Sequence, residues 1–182
     1  MAIGVYVSHR VADAMSLVTF INAWAAACRG DAKTIAVTQP TFDLASRFPP
    51  PDFFKYFPSG APPPTPQKLV TKRFVFNEQK LAALRKAASG TMMEKPTRVE
   101  AVSAFIWRHF IKAVRSEDKL NGEERVFAAA HAVDIRPRAS PPLPNQFFGN
   151  AVAQALAMTT TAETEPDYYE LAIKLRDGIK KN

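Results

Sequence analysis

The sequence has one cysteine, Cys28, so no internal disulfide can form and the fold must hold without one. That usage suits a reducing compartment, and a cytoplasmic location is expected. Histidine is scarce too. His9, His109 and His131 are far apart, and none has a partner at a metal-ligand spacing, so no metal site is expected; a bound cofactor is not expected either. Asn22, Arg29 and Arg108 interrupt the longest apolar runs, which leaves none able to cross a bilayer. The start, MAIGVYVSHR, lacks the basic opening and long apolar run of a secretory leader. No GxSxG elbow, phosphate-binding loop or dinucleotide fingerprint occurs. A dense run of one charge is also missing. The formal net charge is +7, yet the basic residues are scattered from Arg10 to Lys181 and are not interleaved with stacking aromatics. A solvated surface explains them better than nucleic acid, and some could meet the phosphates of an anionic cosubstrate.

What is present describes a folded chain. Hydrophobic residues make up 47% and charged residues 23% of 182 positions, enough for a real core. Residues 2–8 have the Val, Ile and Tyr content of a short strand. Leu17, Phe20, Ile21, Trp24 and Cys28 then recur at helical spacing, with Gly30 as a stop, so Cys28 is expected to pack rather than react. Prolines crowd Phe48–Pro66, which excludes a helix or central strand and predicts an extended connection. Beyond it, KLVTKRFVF predicts a strand and Asn77 a cap for the helix EQKLAALRKAAS, with Leu81, Leu84 and Ala88 on one face. Thr97 and Glu100 form a capping-box pattern ahead of a helix striped by Val99, Val102, Ile106, Phe110 and Val114. RVFAAAHAVDIR and GNAVAQALAM predict strands around a Pro-rich loop. A final helix runs from about Pro166 through Leu171, Leu175 and Ile179. The order is that of an α/β sandwich. Because the first strand starts at once and the last helix lacks a stop, the chain is expected to be a piece of a longer protein.

His109 in its helix and His131 on the Phe127–Ala129–Val133 face are expected to be structural. His9 is different. It sits where a strand gives way to a helix, four residues before Asp13, and an imidazole there can take a proton from an attacking hydroxyl or amine. Asp13 could orient that imidazole, cap the helix or pair with an arginine, and spacing does not choose among these.

Several linked blocks carry a family resemblance. VSHRVADAMSLVTFINAWAAACRG, then KRFVFNEQKLAALRKAAS, TRVEAVSAFIWRHF and AVDIRPRASPPLPNQFFGN together resemble the BAHD acyl-CoA-dependent acyltransferases, in their vinorine synthase-like branch. The likeness covers essentially the whole chain. It implies an incomplete α/β fold, the two-layer sandwich of the chloramphenicol acetyltransferase type. Residues 1–45 would end an N-terminal domain, 46–68 would be the crossover linker, and 69–182 would begin a C-terminal domain. It further implies acyl-CoA as cosubstrate, a small-molecule alcohol or amine of specialised metabolism as acceptor, and a monomeric full-length enzyme. His9 would be the general base. Asp13 would point away from substrate and pair with Arg136, and Asn150 would fall near the substrate channel. The family's DFGWG motif does not occur here. Two other readings stand beside the enzyme: a non-catalytic remnant of one, and a basic nucleic-acid-binding module.

Overall fold

A computed structural model describes residues 2–49, 70–117, 125–160 and 166–181. By packing, the chain divides into unit 1, Met1–Thr71 with Asp134–Val152, and unit 2, Lys72–Val133 with Ala153–Asn182. Residues 134–152 thus pack in unit 1 while lying within 69–182 in chain order. Most of the expected linker, 50–69, lies outside the described residues.

Among the described residues, unit 1 is built from three α-helices and a loop. Helix α1 (Ala14–Arg29) starts at Asp13, whose Oδ1 accepts the Ser16 N–H at 2.9 Å, and ends at Gly30, where φ is +67°. That left-handed turn is open to glycine at little cost. Helix α2 (Ala32–Thr38) is capped by Asp31 and followed by the single turn α3 (Leu44–Arg47). The Pro-rich loop runs alongside: Thr41 bridges to Phe147, and the Phe42 and Phe148 rings meet at 5.4 Å.

The expected apolar face of α1 is not the buried one. Ser16 and Ala26 are buried, while Phe20, Ile21, Trp24 and Cys28 are exposed. The reason lies in what the helix meets. Its neighbour is loop backbone with N–H and C=O groups to satisfy, so a hydroxyl and small side chains fit where bulky apolar ones would leave those groups unpaired. Residues 2–8 and 70–76 also depart from expectation, since neither forms a strand. Strand composition is only a tendency, and a ladder exists only where a second strand supplies its hydrogen bonds.

Unit 2 is layered. Helix α4 (Glu78–Ala87) is capped by Asn77, and α5 (Arg98–Glu117) opens with the expected box: Glu100 accepts the Thr97 N–H, and the Thr97 hydroxyl accepts the Glu100 N–H at 3.2 Å. Strands β1 (Val126–Asp134) and β2 (Val152–Thr160) pair as a two-stranded sheet, and α6 (Tyr168–Lys180) closes the chain under an Asp167 cap. Phe127 from β1, Ala157 from β2, Ala101, Ala104, Trp107 and Ile111 from α5, and Leu171, Ala172 and Leu175 from α6 form the core. The buried face of α5 is therefore rotated from the expected stripe, for Ile106 and Phe110 are each 57% exposed. Alanines at 101 and 104 let a neighbouring helix approach closely, and that gain outweighs burying larger side chains on another face. Gly178 of α6 extends the same logic, because a Cβ there would stand 2.6 Å from the Leu156 carbonyl oxygen. Alternation in β1 holds: Phe127 and Val133 are buried and His131 half-buried on the same face. His109 is exposed, with Nδ1 2.8 Å from the Phe105 carbonyl.

Candidate active site

The site is built within unit 1 around the turn that precedes α1. The Ser8 carbonyl accepts the Val11 N–H at 2.9 Å and the Ala12 N–H at 3.4 Å, which folds His9 and Arg10 into a tight turn. His9 is exposed on it. Asp13 is buried, and its carboxylate is filled by four donations. Arg136 Nη1 reaches Oδ2 at 2.9 Å and Arg136 Nη2 reaches Oδ1 at 3.2 Å, a bidentate fork. The Ser16 N–H adds to Oδ1, and the Ala151 N–H adds to Oδ2 at 3.0 Å. None of these donors is the His9 imidazole.

Arg136 is itself fully buried, in a short 3-10 turn (Arg136–Arg138) after β1. A guanidinium taken wholly from water must place all its N–H groups. Besides Asp13 it donates to Asp134 Oδ1 at 3.0 Å, to the Phe147 carbonyl from Nε and Nη2, to the Gly149 carbonyl, and to Ser16 Oγ at 3.0 Å. Burial pushes the Asp13 carboxyl up, but the bonds from Arg136, Ser16 and Ala151 outweigh it and hold the carboxyl below its usual range. Burial likewise pulls the Arg136 guanidinium down, and its bonds to Asp13 and Asp134 reverse that and raise it. Both groups are ionised at neutral pH.

Ser16 joins the same network. Its hydroxyl donates to the Gly149 carbonyl at 2.9 Å and accepts the Gly149 N–H at 3.0 Å. Asn150 follows, and its Nδ2 donates to the His9 carbonyl at 2.7 Å. So the four residues singled out in the sequence lie together: Asp13 and Arg136 as an ion pair, Asn150 bonded to the backbone of His9. Ser16, Asp134 and Gly149 also belong to the network, and sequence reasoning missed them. Ser16 had one signal, a hydroxyl three residues past a capping aspartate, at a position whose backbone N–H needs an acceptor. Asp134 and Gly149 had none, as their role depends on which arginine comes near.

Among the described residues, no helix is long and apolar enough to cross a membrane. The profile of the Transferase family matches residues 1–181. Vinorine synthase of Rauvolfia serpentina is 41% identical over 186 residues, covering 99% of this chain and 41% of that protein. Stemmadenine O-acetyltransferase of Catharanthus roseus is 39% identical, with 99% and 40% covered. The crystal structure of vinorine synthase superposes with a TM-score of 0.77 at 36% identity, over 96% of this chain and 39% of that one. F. graminearum TRI101, solved with coenzyme A and deoxynivalenol, shares the fold at a TM-score of 0.55 and 19% identity. The chain thus spans about two fifths of the length of these relatives. With an α/β architecture, a profile match along its length and the HxxxD turn locked to a distant arginine, the chain belongs to the Transferase family, the BAHD acyltransferases that its sequence resembles.

Proposed function

We propose that this chain supplies the general base for moving an acyl group from acyl-CoA to a hydroxyl or amine of a plant specialised metabolite. The observation that carries the reading is the division of labour between His9 and Asp13. Four donors occupy the Asp13 carboxylate, which makes it a support for the turn, while His9 on that turn is left exposed to meet an acceptor. The imidazole takes the proton of the acceptor hydroxyl, and the oxygen attacks the thioester carbonyl. The carbon–sulfur bond breaks, and the imidazolium returns the proton to the departing CoA thiolate. Ester and free CoA are the products, with no acyl-enzyme between them. The reading draws support from relatives whose names describe acetyl transfer, stemmadenine O-acetyltransferase and the salutaridinol 7-O-acetyltransferase of Papaver somniferum. Acyl-CoA and a small alcohol or amine are the proposed partners. The proposed setting is the cytoplasm, with the full-length enzyme as a monomer that needs no bound cofactor and contacts neither nucleic acid nor membrane. Residues 1–45 and 69–182 are proposed to belong to its N- and C-terminal domains.

Release of free thiol from acetyl-CoA by the full-length enzyme, measured across small alcohols and amines, tests this. His9→Ala should lower turnover by about 10²–10⁴-fold, the usual contribution of a positioned base. Its melting temperature should stay at the wild-type value, since His9 is exposed. Undiminished turnover in His9→Ala would remove this residue from the chemistry.

A further inference from the structure

We infer that Asn150 is the positioning residue of the His9 turn: its side-chain amide holds the His9 carbonyl and so aims the imidazole. The inference rests on His9 being the base. An exposed imidazole has few packing partners to fix its direction, so its aim must come from the backbone that carries it. That backbone is tied from two sides. One is internal, from the Val11 and Ala12 N–H groups to the Ser8 carbonyl and from the Arg10 N–H to Ser8 Oγ. The other comes from outside the turn, the 2.7 Å bond from Asn150 Nδ2 to the His9 oxygen.

A side-chain bond positions something only if its own origin is fixed, and the origin here is fixed on both sides. On one side, the Gly149 N–H is held by Ser16 Oγ, and its carbonyl accepts from Ser16 Oγ, from Arg136 Nη2 at 3.2 Å and from the Asp13 N–H at 3.3 Å. On the other, the Ala151 N–H is held by Asp13 Oδ2 and its carbonyl accepts the Ile135 N–H at 3.0 Å. Gly149 also has φ of +143°, and a Cβ on it would come 2.8 Å from Leu44 Cδ2, so only glycine delivers the chain to Asn150 along this path. Asn150 is therefore a short arm between two anchored residues. The buried Asp13–Arg136 pair secures the arm, and the arm secures His9. A carbonyl can only accept, so the contact requires the amide nitrogen of Asn150 and excludes an aspartate of the same shape.

Asn150→Asp in the 182-residue chain is the test, with Asn150→Ala beside it. Amide exchange at Val11 and Ala12 should quicken about tenfold in both, the scale of one lost hydrogen bond. Exchange at Ser16 and Ala151, inside the ion-pair network, should stay at its wild-type rate. Unchanged exchange at Val11 and Ala12, or equal quickening at all four, overturns the inference, because Asn150 would then be idle or merely part of the scaffold. In the acyl-transfer assay, Asn150→Asp should lower kcat about tenfold and leave KM for acyl-CoA unchanged. A normal kcat beside an inactive His9→Ala also overturns it. Full activity of His9→Ala would instead sink the base assignment, while the exchange data still decide whether Asn150 holds the turn.

Discussion

Each unit contains a carboxylate gripped by an arginine, and the two pairs do opposite kinds of work. In unit 1 the Asp13–Arg136 pair is out of water and ties α1, the residues before it and the loop after β1 into one network. Among the described residues of unit 1 the buried hydrophobics are Ala12, Ala26, Leu143 and Ala151, three of them small. In unit 2 the Glu100–Arg176 pair, with Nε to Oε1 at 2.7 Å, sits at the rim of a core built from Trp107, Phe127, Ile111, Leu171 and Leu175. One pair replaces a core; the other decorates one. Segments that must present a polar turn to solvent are held by directional bonds, whereas a sheet and its helices are held by area.

Breaking the first pair should have the largest effect. Arg136→Met leaves Asp13 buried without its ion-pair partner and the Phe147 carbonyl without the two N–H groups that Arg136 gives it, and should cost about 3–5 kcal/mol in denaturant unfolding. Amide exchange should show the damage at Ser16 and Ala151, and a loss below about 1 kcal/mol would mean that apolar packing carries unit 1 after all. Gly178→Ala probes the close packing of unit 2 by placing a methyl against the Leu156 carbonyl, and should cost about 1–3 kcal/mol. No loss there would show that the helix can withdraw from β2 freely.

Glu100→Gln should be mildest, about 1 kcal/mol at neutral pH, since both partners keep some contact with water. Its sharper signature is in acid. The Arg176 guanidinium brings the Glu100 carboxyl from 4.5 down to about 2, so the unfolded chain binds the proton first. This stability is whole above pH 4.5 and is lost as pH falls towards 2. The depressed Asp13 carboxyl acts in the same direction below its ordinary range. Glu100→Gln should therefore flatten the acid limb for unit 2 amides while leaving that of unit 1; an unchanged limb would show that the pair adds nothing.

The helix ends were legible because caps are local. Asp13 with Ser16, Asn77 with Lys80, and Thr97 with Glu100 each act across three residues, a span fixed by helix geometry whatever the surroundings. The β1 face was legible for the same reason, its period being set by the strand itself. Buried helix faces were not. Leu17, Phe20 and Trp24 make the apolar stripe of α1, yet it buries Ser16 and Ala26, because a helix turns inward the face that suits its neighbour. Strands at 2–8 and 70–76 failed similarly, as composition supplies no partner.

The HxxxD turn holds the same lesson. The spacing of His9 and Asp13 and its place ahead of a helix were set by sequence alone, and the wider resemblance pointed to Arg136. Spacing left Asp13 open between orienting His9 and supporting the turn. The tertiary structure brings an arginine 123 residues away within 2.9 Å and adds Ser16 and Ala151 to the same carboxylate. A short motif specifies which groups can react or pair; which partner saturates them depends on long-range packing that no local pattern encodes.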